Sequence, residues 1–210
     1  MIPAPLTKST LASAAASLSE RDKDLASILA AHGPPPMWAR QPGFTTLVRI
    51  ILEQQVSLAS AASMYRRLKK HTVPFRPNRF VELGESHFKS LGMTRQKTSH
   101  CLHLAESVET RMLQLRAVAK MSDEEARAAL MQVKGIGPWS SDIYLLMALR
   151  RPDVWPSGDL ALVTAVTELK RLKHRPTPDQ LLIMADAWRP FRSVAARMLW
   201  QYYLAQRPRR

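Results

Sequence analysis

A single cysteine, Cys101, stands in the whole chain of 210 residues. A lone thiol rules out an internal disulfide and a four-cysteine iron–sulfur cluster. His100 and His103 flank it, but zinc asks for a closed set of four ligands and no fourth candidate is near. On a helix expected from Thr94 to Leu115 these residues read as partly exposed polar positions. Long apolar runs are missing as well. None approaches the roughly 18 to 20 residues that span a bilayer, and the N-terminus has no basic stretch leading into a continuous apolar one, so a soluble, intracellular protein without a membrane partner is expected. Glycine is scarce, with seven in all, and no alternating strand pattern appears. Acidic residues are outnumbered, 17 Asp and Glu against 31 Lys and Arg. The net charge of +14 and a pI near 10.6 make a polyanion such as DNA the expected partner.

What is present is helical periodicity from end to end, enough at this length for a large core in one domain or two closely joined lobes. Helices are expected at about 9–31, 44–55, 57–70, 78–91, 94–115, 122–133, 138–149, 160–172, 178–188 and 191–205. Pro34-Pro35-Pro36 stops the first, while Pro74-Phe75-Arg76-Pro77 and Arg151-Pro152-Asp153-Val154-Trp155-Pro156 mark loops. Thr177-Pro178-Asp179-Gln180 opens a helix with a cap, a proline in its first turn and a glutamine that returns the capping bond. Residues 206–210 form a basic tail, expected to be disordered and to add nonspecific affinity for DNA.

The most informative stretch is Val133-Lys134-Gly135-Ile136-Gly137-Pro138-Trp139. Ser122 with Glu125 reads as a capping box, and Ala126, Ala129, Leu130 and Val133 follow at helical spacing. A second helix begins at Pro138 and is apolar around most of its circumference through Trp139, Ile143, Tyr144, Leu146, Met147 and Leu149. Two helices joined by Gly-x-Gly leave amide N–H groups at the positive end of the second helix, where a phosphate oxygen can approach closely. On these residues alone a tight turn with a glycine cap fits as well. Twenty positions after Trp139 comes Asp159, behind Gly158 and ahead of Leu160-Ala161-Leu162. That places it at a helix N-terminus, either as a plain cap or as a carboxylate held ionised by the helix dipole.

The hairpin Lys134-Gly135-Ile136-Gly137-Pro138-Trp139-Ser140 and the later Pro156-Ser157-Gly158-Asp159 are accompanied by Ile51-Leu52-Glu53-Gln54-Gln55-Val56-Ser57 with Ala61-Ala62. Further along come Leu91-Gly92-Met93 with Lys97, and Trp188-Arg189-Pro190-Phe191-Arg192-Ser193 followed by Trp200. In this order they resemble the helix-hairpin-helix DNA glycosylases, above all the bacterial 3-methyladenine DNA glycosylase II branch, over about residues 40 to 205. The resemblance implies an all-α fold of two closely joined helical lobes with a helix-hairpin-helix motif and an active-site cleft between the lobes. Lobe one would cover roughly 35–118, and lobe two roughly 119–205 plus the N-terminal helix.

It further implies a hydrolase of base excision repair that flips an N-alkylated purine, such as 3-methyladenine or 7-methylguanine, out of duplex DNA and cleaves its N-glycosidic bond. Asp159 matches the catalytic aspartate, whose charge would stabilise the oxocarbenium-like transition state and orient water. Strand-cutting relatives carry a lysine at the position of Trp139. An indole forms no imine, so a monofunctional enzyme that leaves an abasic site is expected. Trp139 and Trp200 match pocket-lining aromatics, with Tyr144 as a further wall, because cationic bases stack well on indole faces. For all three, ordinary core packing is the alternative. Gln54 and Gln55 fall at the junction that supplies the residue filling the gap left by the flipped base; Gln55 is the candidate wedge, and Ser57 opens the helix beyond it.

Lys134 with the Gly135 and Gly137 amides would contact the lesion strand. The resemblance places a structural monovalent cation on the hairpin carbonyls, bridging to phosphate, with no other cofactor and no catalytic metal. Arg192 and Ser193 would bind phosphate or brace the site, or simply cap a helix. A monomer acting on damaged double-stranded DNA is expected, with the bacterial cytoplasm and nucleoid as its place. Two departures stand out. The chain has only some 40 residues and no strands where several relatives carry an N-terminal sheet layer, and Ile143 replaces an aromatic found in some of them. A glycosylase for deaminated or oxidised bases, and a non-enzymatic DNA-binding module, are the alternatives. The second does not account for Asp159 at its spacing.

Overall fold

Twelve α-helices and one 3-10 turn make up the regular structure of the computed structural model among its described residues, 4–207. No strand occurs among them, as the periodicity requires. Two expected capping boxes are formed: Ser122 and Glu125 at the start of α8 (Asp123–Met131), and Thr177 and Gln180 at the start of α11 (Pro178–Ala185), with Pro178 in its first turn.

Several boundaries differ for local reasons. The helix expected over 9–31 is two, α1 (Lys8–Arg21) and α2 (Lys23–His32). Asp22 between them leaves helical geometry at φ −134°, ψ 111°, and its carboxylate accepts from the Asp24 and Leu25 amides at 2.9 and 3.2 Å, a cap that competes with helix continuation. The helix expected over 94–115 ends early as α6 (Arg95–Glu109). Arg111 then turns the chain at φ 61°, and the short α7 (Leu115–Val118) follows. That expected over 178–188 stops at Ala185 and tightens into a 3-10 turn, η1 (Asp186–Trp188). Of the basic tail, 208–210 lie outside the described residues; Arg207 pairs with Glu168 and lies over the Tyr203 ring.

The chain forms two compact units. Among the described residues one is Arg40–Tyr144; the other joins residues 4–39 with residues 145–207. The division falls inside α9 (Pro138–Met147) and not at 118/119, where the lobes were expected to part. Hydrogen bonds explain the difference, since residues 134–144 are tied to Gln54, His103 and Gly43.

In the first unit, α3 (Phe44–Glu53) packs on α4 (Leu58–His71) and α6, and α5 (Pro77–Ser90) packs on α6. Leu47, Val48, Ile50, Ile51 and Leu52 are all buried. Phe80 anchors an aromatic cluster, 4.9 Å edge-on to Phe44 and 4.9 Å stacked on Phe88. Lys97 Nζ donates to the Leu52 carbonyl at 2.6 Å. It satisfies one of the orphan carbonyls at the end of α3, beyond which Gln54 and Gln55 leave the helix.

The second unit is built around α12 (Arg192–Ala205), buried continuously from Ser193 to Trp200 and packed by α1, α2 and α10 (Leu160–Leu169). Arg197 lies in its middle, fully buried, and donates to the carbonyls of Met37, Ser193 and Leu146 at 3.0, 3.0 and 2.7 Å. Burial pushes its guanidinium down to about 10.

Candidate active site and nucleic-acid interface

The hairpin between α8 and α9 is shaped from behind by α3 and α6. Gln54 donates its amide both to the Gly135 carbonyl at 2.8 Å and to Ser140 Oγ at 2.9 Å. His103 Nδ1 accepts from the Lys134 amide at 3.2 Å. Gly135 has φ +90°, and a Cβ there would lie 2.2 Å from His100 Cγ, so the imidazole occupies the space a side chain would need. Desolvation, with Lys134 and His103 adding to it, holds His100 below the ordinary histidine value. Gly137 differs: its φ is not positive, and a Cβ there would meet nothing within 4 Å. One glycine is required by packing behind the hairpin; the other leaves open space. Lys134 is exposed and Trp139 is partly exposed in the first turn of α9.

At the α3–α4 junction Gln55 is exposed and left-handed at φ 54°, a conformation that costs a non-glycine residue about 1 kcal/mol or more. Ser57 caps α4 by accepting from the Ser60 amide at 3.2 Å. Val56 and Leu58 beside it are exposed apolar residues.

In the second unit Asp159 is the N-cap of α10, following Gly158 at φ +77°. Its Oδ1 accepts three N–H groups: the amides of Ala161 and Leu162, both at 3.0 Å, and Trp200 Nε1 at 3.2 Å. Asp159 is 9% exposed and Trp200 8%. Three converging donors fix the carboxylate's orientation.

A glycine hairpin between two helices, followed by a helix-capping aspartate at this spacing, falls within a single family match: the HhH-GPD superfamily of base excision DNA repair proteins matches residues 48–192, more than half of the chain. The chain belongs to this superfamily. Over 186 residues it is 26% identical to YfjP of Bacillus subtilis, covering 84% of this chain and 64% of that protein. The DNA-3-methyladenine glycosylase of the same organism is 28% identical over 171 residues, 75% of this chain and 56% of that one. The chain thus spans less than two thirds of either relative. Among solved structures, the Schizosaccharomyces pombe 3-methyladenine DNA glycosylase Mag1 in complex with abasic DNA superposes with a TM-score of 0.82 at 25% identity, covering 90% of this chain and 95% of that one.

Within this HhH-GPD chain three residues expected to contact ligand are engaged elsewhere. Gln54 spends its amide donors inside the hairpin, so it is a strut behind the hairpin. Tyr144 is 0% exposed and its hydroxyl accepts from the Gly43 amide at 3.0 Å; burial pushes it up to about 12. It leaves no surface on which a base could stack. Arg192 is gripped by Asp153, with Nε on Oδ1 at 3.0 Å and Nη2 on Oδ2 at 3.1 Å. Ser193 exchanges hydrogen bonds with the Val154 backbone at 2.9 Å, so both staple the 151–156 loop to α12. His100 and His103 are the residues whose role the sequence hid: they support the hairpin, and no metal-holding cluster occurs among the described residues. Cys101 between them is buried, its thiol pushed up to about 12 by desolvation. No helix among the described residues is long and apolar enough to cross a membrane.

Proposed function

We propose that this protein is a monofunctional DNA glycosylase that excises N-alkylated purines, 3-methyladenine and 7-methylguanine, from double-stranded DNA and leaves an abasic site. The observation that carries the reading is Asp159, held at the start of α10 with three N–H donors on one oxygen in a chain that has tryptophan, not lysine, at position 139. The relatives named for 3-methyladenine support the substrate class.

In this reading a water oxygen attacks C1′ of the deoxyribose as the C1′–N bond breaks. The bonding electrons leave with the base, and the water proton passes to the Asp159 carboxylate or to solvent. The ionised carboxylate faces the positive charge that grows on the sugar. A cationic alkylated purine leaves as a neutral molecule and needs little acid assistance, and Trp139 offers no amine for strand cutting. Lys134 and the Gly135 and Gly137 amides grip the lesion strand. The exposed, left-handed Gln55 enters the duplex beside Ser57. A monovalent cation would find neutral oxygen donors on the hairpin. The Val133 and Gly135 carbonyls, each accepting one hydrogen bond, from Ile136 and from Gln54, keep a second lone pair with which they would hold it. The protein would work as a monomer on bacterial nucleoid DNA.

The test is release of free methylated purines from methylated duplex DNA. The parent is expected to release them, and Asp159→Asn, which keeps an acceptor for the cap, to lose about 100-fold or more of the rate while still binding DNA. Binding without release by the parent would defeat the substrate assignment, and deaminated lesions would be assayed next.

A further inference from the structure

Trp38 takes no part in the hairpin, yet its surroundings are built. It lies in the segment between α2 and α3, partly exposed and left-handed at φ 45°. A bulky residue holds this conformation only where neighbours enforce it, and such outliers gather at ligand sites. Here the enforcing group is Arg197, whose buried Nε donates to the carbonyl of Met37 immediately before it. The Trp38 ring meets Trp200 edge-on, centroids 6.3 Å apart and planes at 69°, and Trp200 in turn donates to Asp159. Trp200 is itself almost wholly covered. Of the two indoles joined to the carboxylate in this way, the one with accessible surface is Trp38.

Resting on the glycosylase reading above, we infer that Trp38 is the aromatic platform on which the extruded base stacks, and that Trp200 is a positioning residue that orients Asp159. An electron-rich indole held beside a carboxylate favours a flat, positively charged ring over a neutral one. It therefore sets specificity for cationic bases. Arg197 keeps the platform in place through the backbone, which is the use made of a buried charge on α12.

The experiment compares the full-length parent with Trp38→Leu, Trp38→Phe and Trp200→Phe in single-turnover release of 7-methylguanine and of hypoxanthine from duplex DNA. Affinity for abasic DNA and far-UV circular dichroism are measured alongside. Trp38→Leu is expected to slow 7-methylguanine release about 10- to 100-fold and to lower its preference over the neutral base, with abasic-DNA affinity unchanged because no base remains to stack. Trp38→Phe recovers most of the rate, but its less electron-rich ring keeps the preference for 7-methylguanine below the parent's. Trp200→Phe slows both bases equally. Unchanged release or preference in the Trp38 variants overturns the inference, as does parallel loss of abasic-DNA affinity, which would make Trp38 structural. Should Trp38→Leu fail to fold, Trp38→Phe with the parent's base preference is enough to reject it. A parent that releases neither base overturns the glycosylase reading and the platform with it.

Discussion

At the scale of single residues the hairpin separates two glycines that the motif treats alike. Gly135→Ala would press a methyl into His100 at a left-handed backbone position, and is expected to cost about 2 to 4 kcal/mol of stability. Gly137→Ala has open space and ordinary φ, and should stay within about 1 kcal/mol of the parent. Both should weaken duplex DNA binding, the second because its methyl would stand where a phosphate oxygen approaches. Thermal melts and fluorescence polarisation separate the two effects, and a Gly137→Ala variant with full affinity would mean the phosphate lies elsewhere. The sequence could place both glycines in a hairpin, Trp139 in a first helical turn and Asp159 at a helix start, because those signals are local. It could not assign His100 and His103, whose partner Lys134 is 31 positions away from His103. Nor could it tell that Gln54, Tyr144 and Arg192 would be used up by Gly135, Gly43 and Asp153, since only tertiary packing decides which polar atoms remain available.

At the scale of elements, helix starts marked by paired side chains were readable because both partners lie within one turn, as with Ser122 and Glu125 or Thr177 and Gln180. Asp22 was read through, since the apolar spacing on either side continues as if one helix ran from 9 to 31. What stops it is partly distant: Trp188 Nε1 donates to the same carboxylate at 2.9 Å, and Lys170 lies at 3.4 Å. Burial alone would push Asp22 up; the Trp188 bond, the Leu25 and Asp24 amides and the Lys170 charge outweigh it and hold the carboxyl below its ordinary value. A lowered folded-state pKa gives stability that is present above the unfolded value and is lost as pH falls through the folded one. Asp22→Ala is therefore expected to lose about 2 kcal/mol in urea titrations at pH 7, with the gap to the parent narrowing below about pH 4. A gap that stays constant down to pH 3 would assign the loss to packing.

For the molecule as a whole, the all-α class and the HhH-GPD membership follow from motifs spread in order along the chain, whereas the partition into units does not, because a boundary inside α9 leaves no mark in composition. Two buried acids, the Cys101 thiol and the Tyr144 phenol, both pushed up to about 12, shape its response to alkali. The unfolded chain releases these protons near the ordinary values of 9 and 10 while the folded one keeps them. Stability should therefore fall as pH rises from about 9 toward 12; Arg197 opposes this only above about 10. Melting temperatures at pH 8, 9.5 and 11 should fall less steeply for Cys101→Ala, and equal slopes would exonerate the thiol. Asp159 has a different consequence at this scale. The carboxylate proposed to face the sugar also closes the first turn of α10, so most replacements disturb both. A survey of variants scored by cellular abundance would mark position 159 as an architectural residue, and one scored by survival of alkylation would mark it as a chemical one. Asparagine, able to accept the same hydrogen bonds without the charge, is the allele on which the two surveys should disagree.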